Sequence, residues 1–209
     1  MSLPPRFEGD LAHLPTHAYG HRSLTWWGTI GFMAIEGTAF VLAGGAYFFL
    51  ANQERLWPPA SGPEPLTYST LFAIVLLLSA IPNHFLKKAA EKERSTDVRL
   101  GLVVMTLLGV ALIGIRAFEI GALNIAWDRN AYASIVWALL VLHTVHVITD
   151  FGDTVVLTAL MFTEHGLKGR RFVDVSENAL YWNFVVITWL PIYALIYWWP
   201  RLASGGYGG

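Results

Sequence analysis

The apolar residues of this chain gather in five long runs separated by short polar segments. The runs are Trp27–Leu50, Leu66–Leu86, Leu100–Phe118, Ala131–Phe162 and Asn178–Trp199. A helix needs about 20 residues to cross ~30 Å of hydrocarbon, so each run is long enough to span a bilayer. The fourth is too long for a simple crossing. At ~1.5 Å per residue it extends about 48 Å, so it must tilt, protrude into water or carry a polar stretch inside the bundle. The pattern predicts an all-α, polytopic membrane protein built as a five-transmembrane-helix bundle. A polar arm (1–25) precedes the membrane domain (26–200), and a short tail (201–209), rich in glycine, follows it. Nothing in the arm resembles a signal peptide, so the first apolar run is expected to serve as the insertion signal. No internal repeat, low-complexity block or second domain is visible.

Composition agrees with this class. Hydrophobic residues make up 55% of the 209 residues and charged ones 14%, with a mean hydropathy of +0.48. Soluble domains carry about 25% charged residues, and disordered chains are far less apolar. A net charge of −1 leaves no electrostatic footprint for nucleic acid. The absence of cysteine excludes disulfides, thiolate metal sites and cysteine nucleophiles.

The cations predict an orientation. Arg6 and Arg22 in the arm, Lys87, Lys88, Lys92, Arg94 and Arg99 after the second run, and Lys168, Arg170 and Arg171 after the fourth would share one side. The other side holds Arg55, Arg129 and Arg201. Ten against three places the N-terminus inside and the C-terminus outside. Trp26, Trp27, Trp127, Tyr132, Tyr197, Trp198 and Trp199 fall at run ends, where an interfacial aromatic belt is expected.

Ionisable residues at membrane depth are the informative feature, because each is costly there and must face protein or water. Glu36 lies about 14 Å down the first helix from Trp27, near the midplane. It reads either as a packing hydrogen bond or as a proton- or lipid-linked carboxyl. His143, His146, Asp150 and Asp153 follow at spacings that keep them on one helical face. Three readings stay open for this stripe: a hydrogen-bond network with Glu36, Glu119 or Arg116, a proton path, or a metal or haem site. Arg116 and Glu119, one turn apart, are expected to pair at the interface. His84 is a poor partner for the stripe, and His13, His17 and His21 read as a surface loop. Ala34, Gly37, Thr38, Gly44 and Gly45 in the first run, and Gly101, Gly109 and Gly114 in the third, would let helices approach closely. Nucleotide-binding, zincin and serine-hydrolase motifs are absent from the sequence.

Four segments together resemble subunit III of the haem-copper oxidases. Trp26-Trp27-Gly28 followed by Gly31–Phe40 is similar to the family helix that carries an intramembrane glutamate, with Glu36 on that position. Phe118-Glu119 is similar to the family's Glu-Tyr pair, with Ile120 in place of the tyrosine. Leu142-His143-Thr144-Val145-His146-Val147 resembles the family's H-G-x-H-V. Glu177–Val185, continuing to Trp189, Tyr193 and Ile196–Trp199, resembles the last helix, although Asn183 stands where the family usually has histidine and Leu180 replaces a tryptophan. The resemblance covers residues 26 to 199. It implies a short five-helix form that lacks the first two helices of the seven-helix form.

The resemblance further implies a non-catalytic support subunit of a cytochrome c or quinol oxidase in a bacterial inner membrane. Such a subunit has no cofactor of its own; haem and copper belong to its partners. It would pack on subunit I, stand in one complex with subunit II, hold membrane phospholipid and help sustain proton uptake. On that view Glu36 approaches His143 or His146. An accessory protein of nitric oxide reductase is the alternative within the family. A small proton-coupled transporter is the alternative of another class.

Overall fold

A computed structural model of the chain describes residues 17–54, 57–58 and 64–204, without the side chains of residues 165, 167, 203 and 204. Arg6, His13, Arg55 and the tail 205–209 lie outside the described residues. The regular structure among the described residues is helical, with no strand. Five helices are long and apolar enough to cross a membrane. They are α1 (Leu24–Gln53), α2 (Thr67–Glu91), α3 (Ser95–Gly121), α4 (Ala131–Met161) and α5 (Gly169–Tyr193). A π turn, Ala194–Trp198, carries α5 into α6 (Trp199–Ser204), so the last crossing runs continuously.

The last helix starts well before the expected Asn178. Arg170, Arg171, Asp174 and Glu177 end the apolar run, yet Phe172, Val173, Val175, Ser176 and Ala179 are buried at helical spacing. That buried stripe packs the polar turns of α5 against the bundle and carries the helix through the charges. The fourth helix starts at the expected Ala131: the Asn130 side chain caps its N-terminus by accepting from the Ala133 N–H at 2.8 Å, relieving one of its orphan donors.

Pro82 and Pro191 sit inside α2 and α5. Each removes one backbone donor, which membrane helices absorb through neighbours and local π adjustments. The π turn follows three residues after Pro191. Ile196 and Tyr197, within this wider turn, are both buried.

α2, α3, α4 and α5 form a closed ring. α2 and α4 each touch both α3 and α5. α1 lies outside the ring against α4 and α5, and buries only Phe40 and Tyr47. The rest of its apolar surface suits lipid.

At the arm end, α2 stops on Glu93, which has φ +53°. The Glu93 N–H donates to the Ala90 carbonyl and the Arg94 N–H to the Ala89 carbonyl, at 2.9 and 3.0 Å. This is a Schellman stop with glutamate in the left-handed position where glycine is usual. The arm reaches the same residue. His17 Nε2 lies 2.6 Å from the Glu93 carboxylate, and the Tyr19 hydroxyl donates to it at 3.1 Å.

Candidate functional site

The long fourth helix organises the polar residues of the membrane domain. His143, His146 and Asp150 are buried along one face, and Asp153, one turn further, is exposed along the same side. Their neighbours divide them into two clusters.

The first cluster joins α1, α4 and α5. His146 Nδ1–H donates to the Leu142 carbonyl one turn back, at 2.6 Å. A carbonyl only accepts, so Nδ1 carries the proton and Nε2 faces outward. Nε2 lies 3.2 Å from Glu36 Oε1. The other carboxyl oxygen accepts from the Tyr181 hydroxyl at 2.7 Å. Of the two histidines expected near Glu36, His146 is the one that meets it. Asp150 Oδ1 accepts from Asn178 Nδ2 at 3.0 Å, and Asn178 Oδ1 accepts from the Thr154 hydroxyl at 3.1 Å. Asp150 Oδ2 is buried with no hydrogen-bond partner.

The second cluster is centred on Arg116. Its guanidinium donates to Glu119 Oε2 at 2.6 Å and to His143 Nδ1 at 3.2 Å. It is sandwiched between the rings of Phe72 and Trp189, 3.6 and 4.2 Å from their centroids, a favourable setting for a desolvated cation. His143 Nε2–H donates to the Val185 carbonyl at 3.0 Å. Guanidinium can only donate and carbonyl only accept, so His143 is a neutral imidazole with both nitrogens engaged. Tyr197 donates to Glu119 Oε1 at 2.5 Å.

This burial corrects the expected interfacial position of the Arg116–Glu119 pair: the two side chains are 2% and 3% exposed. Trp189 and Tyr197, carried inward by α5 and its π turn, cover them. Tyr132 and Tyr197 likewise leave the expected aromatic belt, since both are fully buried. Trp27, Trp127, Trp198 and Trp199 remain exposed near helix ends.

Phe40 packs between the clusters, its centroid 4.9 Å from His146 and 6.3 Å from His143. His84 is exposed and belongs to neither cluster.

Several participants are not marked by the sequence as polar partners in these clusters. Tyr181, Asn178 and Tyr197 lie on the last helix, and only the inward stripe of that helix could have flagged them. Asn183 accepts from Asn83 Nδ2 at 3.0 Å, and Asn83 also donates to the Ala179 carbonyl at 2.8 Å. Glu64, between α1 and α2, is fully buried and accepts from the Asn124 N–H at 2.9 Å. Burial pushes its carboxyl above the usual range, opposed by the Asn124 bond and by Arg201. Arg201 donates to the Glu64 carbonyl at 2.6 Å and to the Tyr197 carbonyl. No local sequence signal marks a buried loop glutamate.

A cleft of about 500 Å³ opens between α1, α4 and α5 beside the first cluster, and Glu36, His146, Asp150 and Asp153 line it. Among the described residues, no three histidine, aspartate or glutamate side chains converge as a metal site would require.

The sequence matches a known family. The family described as cytochrome c oxidase subunit III matches residues 17–201. The chain is 25% identical to cytochrome c oxidase subunit 3 of Synechocystis sp., over 86% of this chain and 77% of that one. It is 28% identical to cytochrome c oxidase subunit 3 of Branchiostoma lanceolatum over 68% of this chain, spanning only 55% of that relative's length. A Nocardia farcinica protein named "Probable cytochrome c oxidase subunit 3" is 25% identical over 87% of this chain and 91% of its own length. The match extends from the arm to the last helix and includes both polar clusters, so the chain belongs to the cytochrome c oxidase subunit III family.

Proposed function

We propose that this chain is the non-catalytic subunit III of a respiratory haem-copper oxidase in a bacterial inner membrane. It stands with its N-terminal arm in the cytoplasm. It packs on subunit I within a complex that also contains subunit II. Haem and copper reside in those partners, and this chain supplies a rigid helical wall, holds phospholipid and helps sustain proton uptake during turnover.

The observation that carries this reading is the family match over residues 17–201. The geometry supports it. Arg116, Glu119 and His143 are closed upon one another, as suits a brace between helices. Glu36 faces a cleft open at the side of the bundle, where lipid and protons have access. The ten-to-three cation asymmetry supports the orientation.

The test is to tag the chain in its own host, solubilise the membranes in mild detergent and recover the complex. The expected result is a haem-rich partner with an oxidase spectrum and oxygen-consuming activity. A recovered complex without haem overturns the reading. A partner that reduces nitric oxide in place of oxygen moves it to nitric oxide reductase.

A further inference from the structure

At the end of the bundle opposite the arm, a third group of buried polar side chains belongs to neither cluster. Tyr47 stands near the end of α1, Trp57 and Glu64 in the connection from α1 to α2, and Tyr132 in the first turn of α4. The Trp57 ring meets both tyrosines edge to face, with centroids 5.3 Å from Tyr47 and 5.0 Å from Tyr132. The Glu64 carboxyl is within electrostatic range of the Tyr132 hydroxyl.

Tyr47, Glu64 and Tyr132 are fully buried. Each of the four residues keeps one buried polar atom without a hydrogen-bond partner: the two tyrosine hydroxyls, Trp57 Nε1 and Glu64 Oε1. The Trp57 N–H lies beside the Tyr47 hydroxyl but does not close a hydrogen bond with it. Stranded polar atoms of this kind are costly. Neighbouring groups are already engaged. Glu64 Oε2 accepts from the Asn124 N–H, the Glu64 carbonyl accepts from Arg201, and the Tyr197 hydroxyl donates to Glu119.

The chemistry of the four atoms narrows what can join them. An indole N–H only donates, an ionised carboxylate oxygen only accepts, and a hydroxyl does both. An anion would meet the Glu64 carboxylate. A metal cation would meet the Trp57 N–H and the nearby charge of Arg201. An apolar molecule would satisfy none of the four. Water donates and accepts, and a buried water typically makes about three hydrogen bonds.

We propose that these residues hold a buried water, which accepts from the Trp57 N–H, donates to Glu64 Oε1 and is shared with the hydroxyls of Tyr47 and Tyr132. The water joins α1, α4 and the α1–α2 connection at one point. Glu64 extends that joint to Asn124 and Arg201.

X-ray radiolytic labelling of the full chain in a neutral detergent, read by peptide mass spectrometry, tests the site. Hydroxyl radicals formed from a bound water oxidise the side chains that touch it, even where bulk solvent has no access. Tyr197 and Trp182 are the dry references: they are as deeply buried, and their hydroxyl and N–H are donated to Glu119 and Ser79. Tyr47 and Tyr132 should be oxidised faster than both references, and a radical scavenger confined to bulk solvent should leave that difference in place. Glu64→Leu removes the acceptor and should lower labelling of Tyr47 and Tyr132 to the reference level.

Tyr47 and Tyr132 labelled no faster than the references overturn the proposal, and this comparison needs no variant. Labelling that the bulk scavenger abolishes overturns it by showing entry of solvent instead of a held water. Labelling unchanged in Glu64→Leu overturns it too. None of these outcomes bears on recovery of a haem-rich partner, so the proposed function is judged separately.

Discussion

Glu36 Oε1 lies 3.2 Å from His146 Nε2, across the contact between α1 and α4. It is the main polar tie of a helix that otherwise rests outside the ring and buries only two of its side chains. The Tyr181 hydroxyl completes the tie from α5.

Substitution of Glu36 should separate its hydrogen bonding from its charge. Glu36→Gln keeps an acceptor for Tyr181 and a group able to reach His146. It should preserve assembly and alter sustained turnover modestly. Glu36→Leu leaves the Tyr181 hydroxyl and His146 Nε2 without partners, a loss of about 1–3 kcal/mol. Thermal denaturation of the purified complex, with oxygen-consumption traces over repeated turnover, checks both. Complete loss of oxygen reduction in an assembled Glu36→Gln complex would contradict a support role.

Arg116 should be far more costly to remove. Replacing it with methionine strands Glu119 in a buried site. Breaking a buried pair on one side costs about 3–5 kcal/mol. The double variant R116M/E119Q removes both charges and should be more stable than R116M alone. A double-mutant cycle on unfolding midpoints in detergent measures this coupling. Additive single effects would show that the pair does not act as a unit.

The spans and the one-sided stripe on α4 were legible because hydropathy and helical period act locally along the chain. Beyond the Arg116–Glu119 pair and the approach of Glu36 to the histidines, which residue meets which was not. The sequence places Arg116 and Glu119 one turn apart near a helix end, where a surface pair is the simplest expectation. The inward turn of Trp189 and Tyr197, with Phe72 on the guanidinium's other face, buries them. The same holds for Tyr132, which looks like a belt residue until its neighbours cover it. The early turns of α5 were hidden because Arg170, Arg171, Asp174 and Glu177 lower the hydropathy of a segment whose buried stripe is nonetheless regular. Glu64 is fixed by contacts to Asn124 and Arg201, both distant in sequence.

The arm should respond to acid. His17 and the Tyr19 hydroxyl hold the Glu93 carboxyl below its usual range, against a smaller desolvation effect. A carboxyl lowered in the folded state adds stability above its unfolded value, ~4.3. That contribution is lost as pH falls through the lower folded value. Hydrogen exchange at residues 17–23 should therefore accelerate in that acidic window. Glu93→Gly relieves the left-handed backbone but removes the carboxylate. It should leave the arm loose at every pH, with no acid-dependent step attributable to this contact.

The third helix offers a test of packing that involves no charge. A Cβ on Gly109 would fall against the Phe151 ring of α4, 3.0 Å from Cε2 and closer still to Cδ2. Small residues earn their place between membrane helices by permitting such approach. Gly109→Ala should therefore force α3 and α4 apart or displace the ring, at about 1–3 kcal/mol. Gly114, on the same helix, has nothing within 4 Å of its Cβ position. There Ala should be neutral or stabilise by up to about 1 kcal/mol through helix propensity. Unfolding midpoints of the two variants in one detergent decide the matter. Equal midpoints would mean that the α3–α4 contact yields freely at Phe151.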